Sequence, residues 1–165
     1  MGSGLSTKYV IHTSYGVLEV GEKEQEYRRV FDEDYLDEFC REMIERPKVD
    51  GSSIDGNYLK VQDKYPLRAG GNLGEGTGKS GFNNWHSDNP MEDAMEMFSN
   101  LSSGGETSFS DNNHGIISKF ADKSNVMFRP HSSTTGGPAV DIKITNSGLL
   151  RKQRIHFLFS EGVGQ

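Results

Sequence analysis

Near the C-terminus, an arginine, a hydroxyl-rich turn and a histidine follow one another in an order suited to phosphate chemistry. Arg129-Pro130-His131 leads into Ser132-Ser133-Thr134-Thr135-Gly136-Gly137-Pro138, and Asp141, Lys143, Lys152, Arg154 and His156 come after it. Serine and threonine hydroxyls, with the backbone N–H groups of a glycine-containing loop, can cradle a phosphate, and Arg129 adds a planar pair of donors. An imidazole moves protons near neutrality. Set beside such a cradle, it makes acid–base cleavage of RNA the simplest reaction. The substrate's own 2′-hydroxyl is then the nucleophile, no metal is needed, and Arg129 with a loop hydroxyl stabilises charge on the non-bridging oxygens. A polar turn following a strand-end arginine is the competing reading of the same residues.

These groups need a scaffold, and from residue 115 onward the apolar period is two. Gly115–Phe120, Asn125–His131, Ala139–Thr145 and Gln153–Phe159 read as strands, separated by the turn-forming runs Asp122-Lys123-Ser124, Thr135-Gly136-Gly137-Pro138 and Asn146-Ser147-Gly148. Short successive connections favour an antiparallel meander. Alternation sends Val126, Phe128, Val140, Ile142, Ile155, Phe157 and Phe159 to the core. It leaves Arg129, His131, Asp141, Lys143, Arg154 and His156 on the other, exposed face. A solvated outer face explains Lys143 and Arg154 equally well, but the two imidazoles less well.

Upstream, Tyr35, Leu36, Phe39, Cys40, Met43 and Ile44 recur on one helical face, with Asp32 as a cap and Pro47 as a stop. Asp88-Asn89-Pro90 opens a second helix carrying Met91, Ala94, Met95, Phe98 and Leu101, ended by Gly104-Gly105. Tyr9–Tyr15 and Val17–Val20, around Gly16, read as a short strand pair or one bulged strand. Residues 48–89, rich in glycine, read as a long loop with at most one short element near Tyr58–Val61. The expectation is therefore a single α+β domain over 1–165: an N-terminal strand and helix (1–47), the glycine-rich loop (48–89), and a helix plus sheet carrying the site (90–165). Its N-terminal helical part packs on a twisted antiparallel sheet of about four strands.

Other chemistries fit less well. Gly74-Glu75-Gly76-Thr77-Gly78-Lys79-Ser80 imitates a phosphate loop, but Leu73 stands where the first glycine should be and no β-run leads into it. His12-Thr13-Ser14 lacks the second His-x-Thr/Ser of a histidine phosphoesterase, because Phe157-Leu158 follows His156. No His, Cys or carboxylate group has metal-ligand spacing, so neither a metal nor another cofactor is expected. Trp85-His86 reads as a loop anchor rather than a substrate-stacking pair. Cys40, the one cysteine, excludes an intrachain disulfide and sits within helical spacing as a buried thiol. No apolar run spans a bilayer, and Met1-Gly2-Ser3-Gly4 has no leader character. The net charge of −6 is uneven: residues 101–165 hold seven Lys and Arg against five Asp and Glu, and the first hundred residues hold eleven against nineteen. The acidic half is either a solvated face or a docking surface for a basic partner.

The run Val126-Met127-Phe128-Arg129-Pro130-His131-Ser132-Ser133-Thr134-Thr135-Gly136-Gly137-Pro138-Ala139-Val140-Asp141-Ile142, followed by Lys152-Gln153-Arg154-Ile155-His156-Phe157, resembles the C-terminal toxin domains of bacterial polymorphic toxins. Such domains end contact-dependent inhibition CdiA proteins, Rhs proteins and the LXG proteins of Gram-positive bacteria. The likeness covers residues 91–159. It implies a barnase/EndoU/colicin/RelE-like (BECR) ribonuclease fold and a metal-independent endoribonuclease that cleaves tRNA to a 2′,3′-cyclic phosphate or its 3′-phosphate product. It also implies a cognate immunity protein, for some members a need for elongation factor Tu, and delivery as the end of a secreted or cell-surface effector into a target-cell cytoplasm. By position it gives Arg129, Ser132, Ser133 and Thr134 as phosphate contacts and His156 as general acid or base. Thr135, Asp141, Lys143, Lys152 and Arg154 stand around them as further substrate contacts. His131 occupies a usually apolar position, as an extra catalytic group or a bystander, and a second proton carrier is unassigned. The rival from another class is a non-enzymatic acidic binding protein, such as an immunity protein whose acidic half mimics nucleic acid.

Overall fold

A computed structural model describes residues 9–13, 16–20, 33–61, 73–77, 81–110, 115–131, 137–145 and 152–160. Strands β1 (Tyr9–Thr13) and β2 (Gly16–Val20) form an antiparallel hairpin, Tyr9 opposite Val20 and Thr13 opposite Gly16. Helices α1 (Glu33–Glu45), α2 (Ile54–Val61) and α3 (Pro90–Leu101) and strands β3 (Glu75–Gly76), β4 (Phe82–Ser87), β5 (Glu106–Phe109), β6 (Ile116–Lys119), β7 (Asn125–Arg129), β8 (Ala139–Lys143) and β9 (Lys152–Phe159) follow. The main sheet has seven strands in the order β3-β4-β9-β8-β7-β6-β5. Every neighbouring pair is antiparallel except β4 and β9, which run parallel with Phe82 beside Arg154 and Ser87 beside Phe159.

This corrects the expected sheet of about four antiparallel strands under an N-terminal helical part, and with it the BECR-like architecture. The four expected strands correspond to β6–β9 and are neighbours in chain order. The three additional strands came from segments whose composition hides them. Residues 48–89, read as loop, contain α2, β3 and β4. β4 reads Phe-Asn-Asn-Trp-His-Ser, poor in β-branched residues, so propensity does not mark it as a strand, and its buried Asn83 is answered by a hydrogen bond to Gln153.

One sheet face packs on helices. α3 lies against β4, β7, β8 and β9, and α2 lies against α3. Pro90 starts α3 where its missing N–H costs nothing, and Glu92 and Asp93 favour the positive end of the helix. Met91, Ala94, Met95, Met97, Phe98 and Leu101 are buried on it. On α1, Leu36, Cys40 and Met43 are buried at helical spacing, and Phe39 reaches the sheet. The Phe39 ring stands edge-on to Phe128 of β7 at 5.5 Å and to Phe98 of α3 at 6.4 Å, joining two helices to the sheet. Burial and the nearby Asp37 push the Cys40 thiol up to about 12, so it stays protonated and is no nucleophile near neutrality.

Buried polar groups bind the outer elements to this core. The Gln153 Oε1 of β9 accepts hydrogen bonds from the Leu73 N–H (3.0 Å) and from Asn83 Nδ2 of β4 (3.2 Å). Its Nε2 donates to the Tyr58 hydroxyl of α2 at 3.0 Å. Asn57 Nδ2 of α2 donates to the Leu101 and Ser103 carbonyls, both at 2.8 Å, satisfying the open C-terminal end of α3. Between β6 and β7, Lys123 takes a left-handed φ of 72°, a conformation that costs a side-chain-bearing residue about 1–2 kcal/mol. At Gly115 a Cβ would overlap the Phe128 carbonyl oxygen of the neighbouring strand, so only glycine fits there.

Because three buried polar groups depend on one amide, Gln153→Ala is expected to destabilise the fold by about 1–3 kcal/mol, measured by urea unfolding. A change within about 0.5 kcal/mol would show that this amide does not tie β4 and α2 to β9.

Candidate functional site

The register of the central strands fixes the site. Asp141 of β8 stands opposite Arg154 of β9 and opposite Met127 of β7, and Ala139 stands opposite His156 and opposite Arg129. Directly paired residues share a face. Arg129, Asp141, Arg154 and His156 thus lie together on the face away from α3, while Val126, Phe128, Val140, Ile142, Ile155 and Phe157 are buried in the core. The alternation expected from sequence holds for these residues; Phe159, expected in the core, is instead 44% exposed at the end of β9.

Asp141 is the hub. Arg154 grips it in a fork, Nε to Oδ1 at 2.6 Å and Nη2 to Oδ2 at 3.1 Å, and Arg129 Nη1 reaches Oδ2 at 3.5 Å. The two guanidiniums and one carboxylate leave this cluster with a formal excess of one positive charge. Arg129 and His156 flank the buried Ala139 from opposite sides in the strand register. Strand spacing sets the Cα atoms of those two residues about 9–10 Å apart.

His156 is not on an exposed surface, as the alternation alone suggested: only 3% of it is accessible. A two-state face pattern separates the sides of a sheet, but it carries no information on what neighbouring side chains cover. Both ring nitrogens of His156 and the Nε of Arg129 are buried without a hydrogen-bond partner, a costly arrangement that points to a group held ready for another partner. Burial first, then the positive charges of Arg154 and Arg129, lower the imidazole pKa, partly offset by Asp141. The ring is accordingly in its neutral, proton-accepting form at pH 7.

The remaining expected groups divide. His131 follows the end of β7 and is half-buried. Lys143 and Lys152 are exposed and directly opposite each other, at the far end of the β8–β9 ladder from His156. Ser132, Ser133, Thr134 and Thr135, the expected phosphate cradle, lie outside the described residues. Of the phosphate-loop imitation, Leu73 is buried and Glu75–Gly76 forms β3; Gly78, Lys79 and Ser80 lie outside the described residues. Among the described residues, no group of three or more His, Cys, Asp or Glu is arranged to hold a metal ion.

Phe82, Asn84, His86 and Glu75 were missed as neighbours of the site. Asn84 of β4 pairs with both His156 and Glu75, which puts all three on the same face. His86, one diagonal step from His156, meets Glu75 through Nδ1 and Oε1 at 3.2 Å. Trp85 faces the other way and packs on the core, as an anchor. Phe82, Asn84 and His86 do alternate with Asn83, Trp85 and Ser87, but with asparagine on both sides the period-two signal carries no apolar face. Beside this ladder runs a groove of about 550 Å³ lined by Phe82, Met127, Asp141, Lys143, Lys152 and Arg154, among others.

No family model matches this chain, and no match emerges from comparison with curated proteins or with solved structures.

The depressed pKa of His156 links the site to stability. The unfolded chain takes up the proton near pH 6.5, whereas the folded ring resists it to lower pH. Its contribution is therefore fully present above about pH 6.5 and is lost as the pH falls through the window between the unfolded and folded values. The melting temperature is expected to drop between pH 7 and pH 5 in the parent, and to drop less in His156→Gln; equal slopes for the two proteins would contradict a neutral buried ring.

Proposed function

We propose that this chain is an endoribonuclease domain of the polymorphic-toxin type, cleaving tRNA by attack of the 2′-hydroxyl on its adjacent phosphorus without a metal. The observation that supports it most is a neutral, buried imidazole with two unpartnered ring nitrogens, on the strand beyond Ala139 from a guanidinium. His156 takes the 2′-hydroxyl proton, and Arg129, with Arg154 behind it on Asp141, stabilises the added negative charge as phosphorus becomes five-coordinate. The 5′-oxygen leaves and is protonated by His86, oriented by Glu75, or by His131; a 2′,3′-cyclic phosphate and a 5′-hydroxyl result. The choice of tRNA, the cognate immunity protein, the dependence of some members on elongation factor Tu and delivery from a larger effector into a target-cell cytoplasm come from the resemblance over residues 91–159. The proposal rests on the side-chain constellation and not on the BECR architecture.

A second reading has its own observation. Arg154 already commits its fork to Asp141, and 3% exposure suits a structural histidine, as expected of a non-enzymatic acidic protein that binds a basic partner. Among the described residues, no helix is long and apolar enough to cross a membrane.

Incubation of the purified chain with total tRNA in EDTA, with and without cell extract, separates the two. Cleavage ending in cyclic phosphate is expected, reduced by at least about 100-fold in His156→Ala and by about 10- to 100-fold in Arg129→Ala. Intact tRNA under every condition, together with harmless expression in cells, would leave the binding-protein reading standing.

A further inference from the structure

Lys143 and Lys152 are directly opposed on adjacent strands, an arrangement in which like charges repel. Asp141, the nearest carboxylate along the same face, is already shared between Arg154 and Arg129. The two lysines and Arg154 line the same groove, so it concentrates positive charge on a chain whose net charge is −6. Between them the groove is lined by Phe82, over whose ring the Arg154 guanidinium sits at 5.7 Å, and by Met127 and Asn125. An opposed cation pair beside a flat aromatic and a thioether suits a ligand with an anionic group and a planar ring.

We propose that this groove binds one nucleotide unit of single-stranded RNA, its phosphate between Lys143 and Lys152 and its base against Phe82 and Met127. The proposal rests on the ribonuclease reading for its choice of RNA. The pairs Lys143–Lys152, Asp141–Arg154 and Ala139–His156 succeed one another at two-residue steps, so the lysine pair lies about 13 Å along the ladder from the Ala139–His156 pair. An extended single strand covers that distance within a few nucleotides. The groove is therefore a subsite that sets the register of the strand, holding a flanking nucleotide while the scissile phosphodiester lies between Arg129 and His156. Its specificity is for unpaired RNA, because a base already stacked and paired in a duplex cannot turn its face to Phe82.

The test uses a short, fluorescently labelled 2′-O-methyl oligonucleotide, which has no 2′-hydroxyl to attack and so cannot be cleaved by the proposed reaction. Anisotropy titrations of the intact chain over a range of salt are expected to show binding that weakens with salt. In Lys143→Ala/Lys152→Ala the slope of log affinity against log salt should fall by about 0.7 for each phosphate no longer neutralised. Phe82→Leu, which keeps the groove apolar, should weaken binding about tenfold at constant slope. No binding by the parent chain, or binding unchanged in both variants while their circular dichroism matches the parent, overturns the proposal. Competition by polyglutamate as effective as by the oligonucleotide, with Phe82→Leu neutral, reduces the groove to a plain anion patch and also overturns it. Oligonucleotide binding through the groove without any tRNA cleavage would instead sink the catalytic reading and leave this one intact.

Discussion

β9 is hydrogen-bonded along both edges, parallel to β4 on one side and antiparallel to β8 on the other, and its two faces have opposite tasks. Gln153, Ile155 and Phe157 point to the helices, where the amide collects the Leu73 N–H, Asn83 and Tyr58, and where the apolar pair packs with α3. Lys152, Arg154 and His156 point to the other side and form one wall of the site. A shift of this strand by one residue would exchange the two sets, burying a lysine and an arginine while exposing the core. With both edges paired and one face filled, no such shift is available, and the geometry of the polar face is inherited from the packing of the apolar one.

Electrostatics then organises that polar face. One carboxylate serves two guanidiniums, which removes most of the penalty of holding three charged groups partly out of water and still leaves a positive excess near His156. The same excess discourages protonation of the imidazole. Burial is the larger cause of that effect, and the two guanidiniums add to it.

Much of this side of the molecule was legible in the sequence because strands β6 to β9 obey a period of two with apolar residues on one face. Arg129, Asp141, Arg154 and His156 could be placed together from that alternation alone. β4 was hidden for a physical reason: its inward residues Asn83 and Ser87 are polar and become tolerable only when Gln153 and the Asn89 backbone N–H answer them, the former from a distant part of the chain. β5, Glu-Thr-Ser-Phe, is a four-residue edge strand with a single large apolar side chain. The near-complete burial of His156 was equally unreadable, since a pattern tells which way a side chain points and not how deeply its neighbours enclose it. The helices were clearer, because α1 and α3 carry apolar stripes over three turns, whereas α2 has only two turns and a central glycine.

The one parallel pairing has a kinetic meaning. β4 and β9 are separated along the chain by α3 and the whole β5–β8 meander, so the closure that joins them is the longest-range event in the main sheet. The meander can zip through neighbouring hairpins, each closing a short loop, while β4 waits with an open edge and two buried-to-be asparagine and serine side chains exposed to water. During synthesis that wait lasts until β9 has emerged from the ribosome. His156, Arg154 and Lys152 all sit on β9, so the polar face is complete only once that strand has joined both of its neighbours.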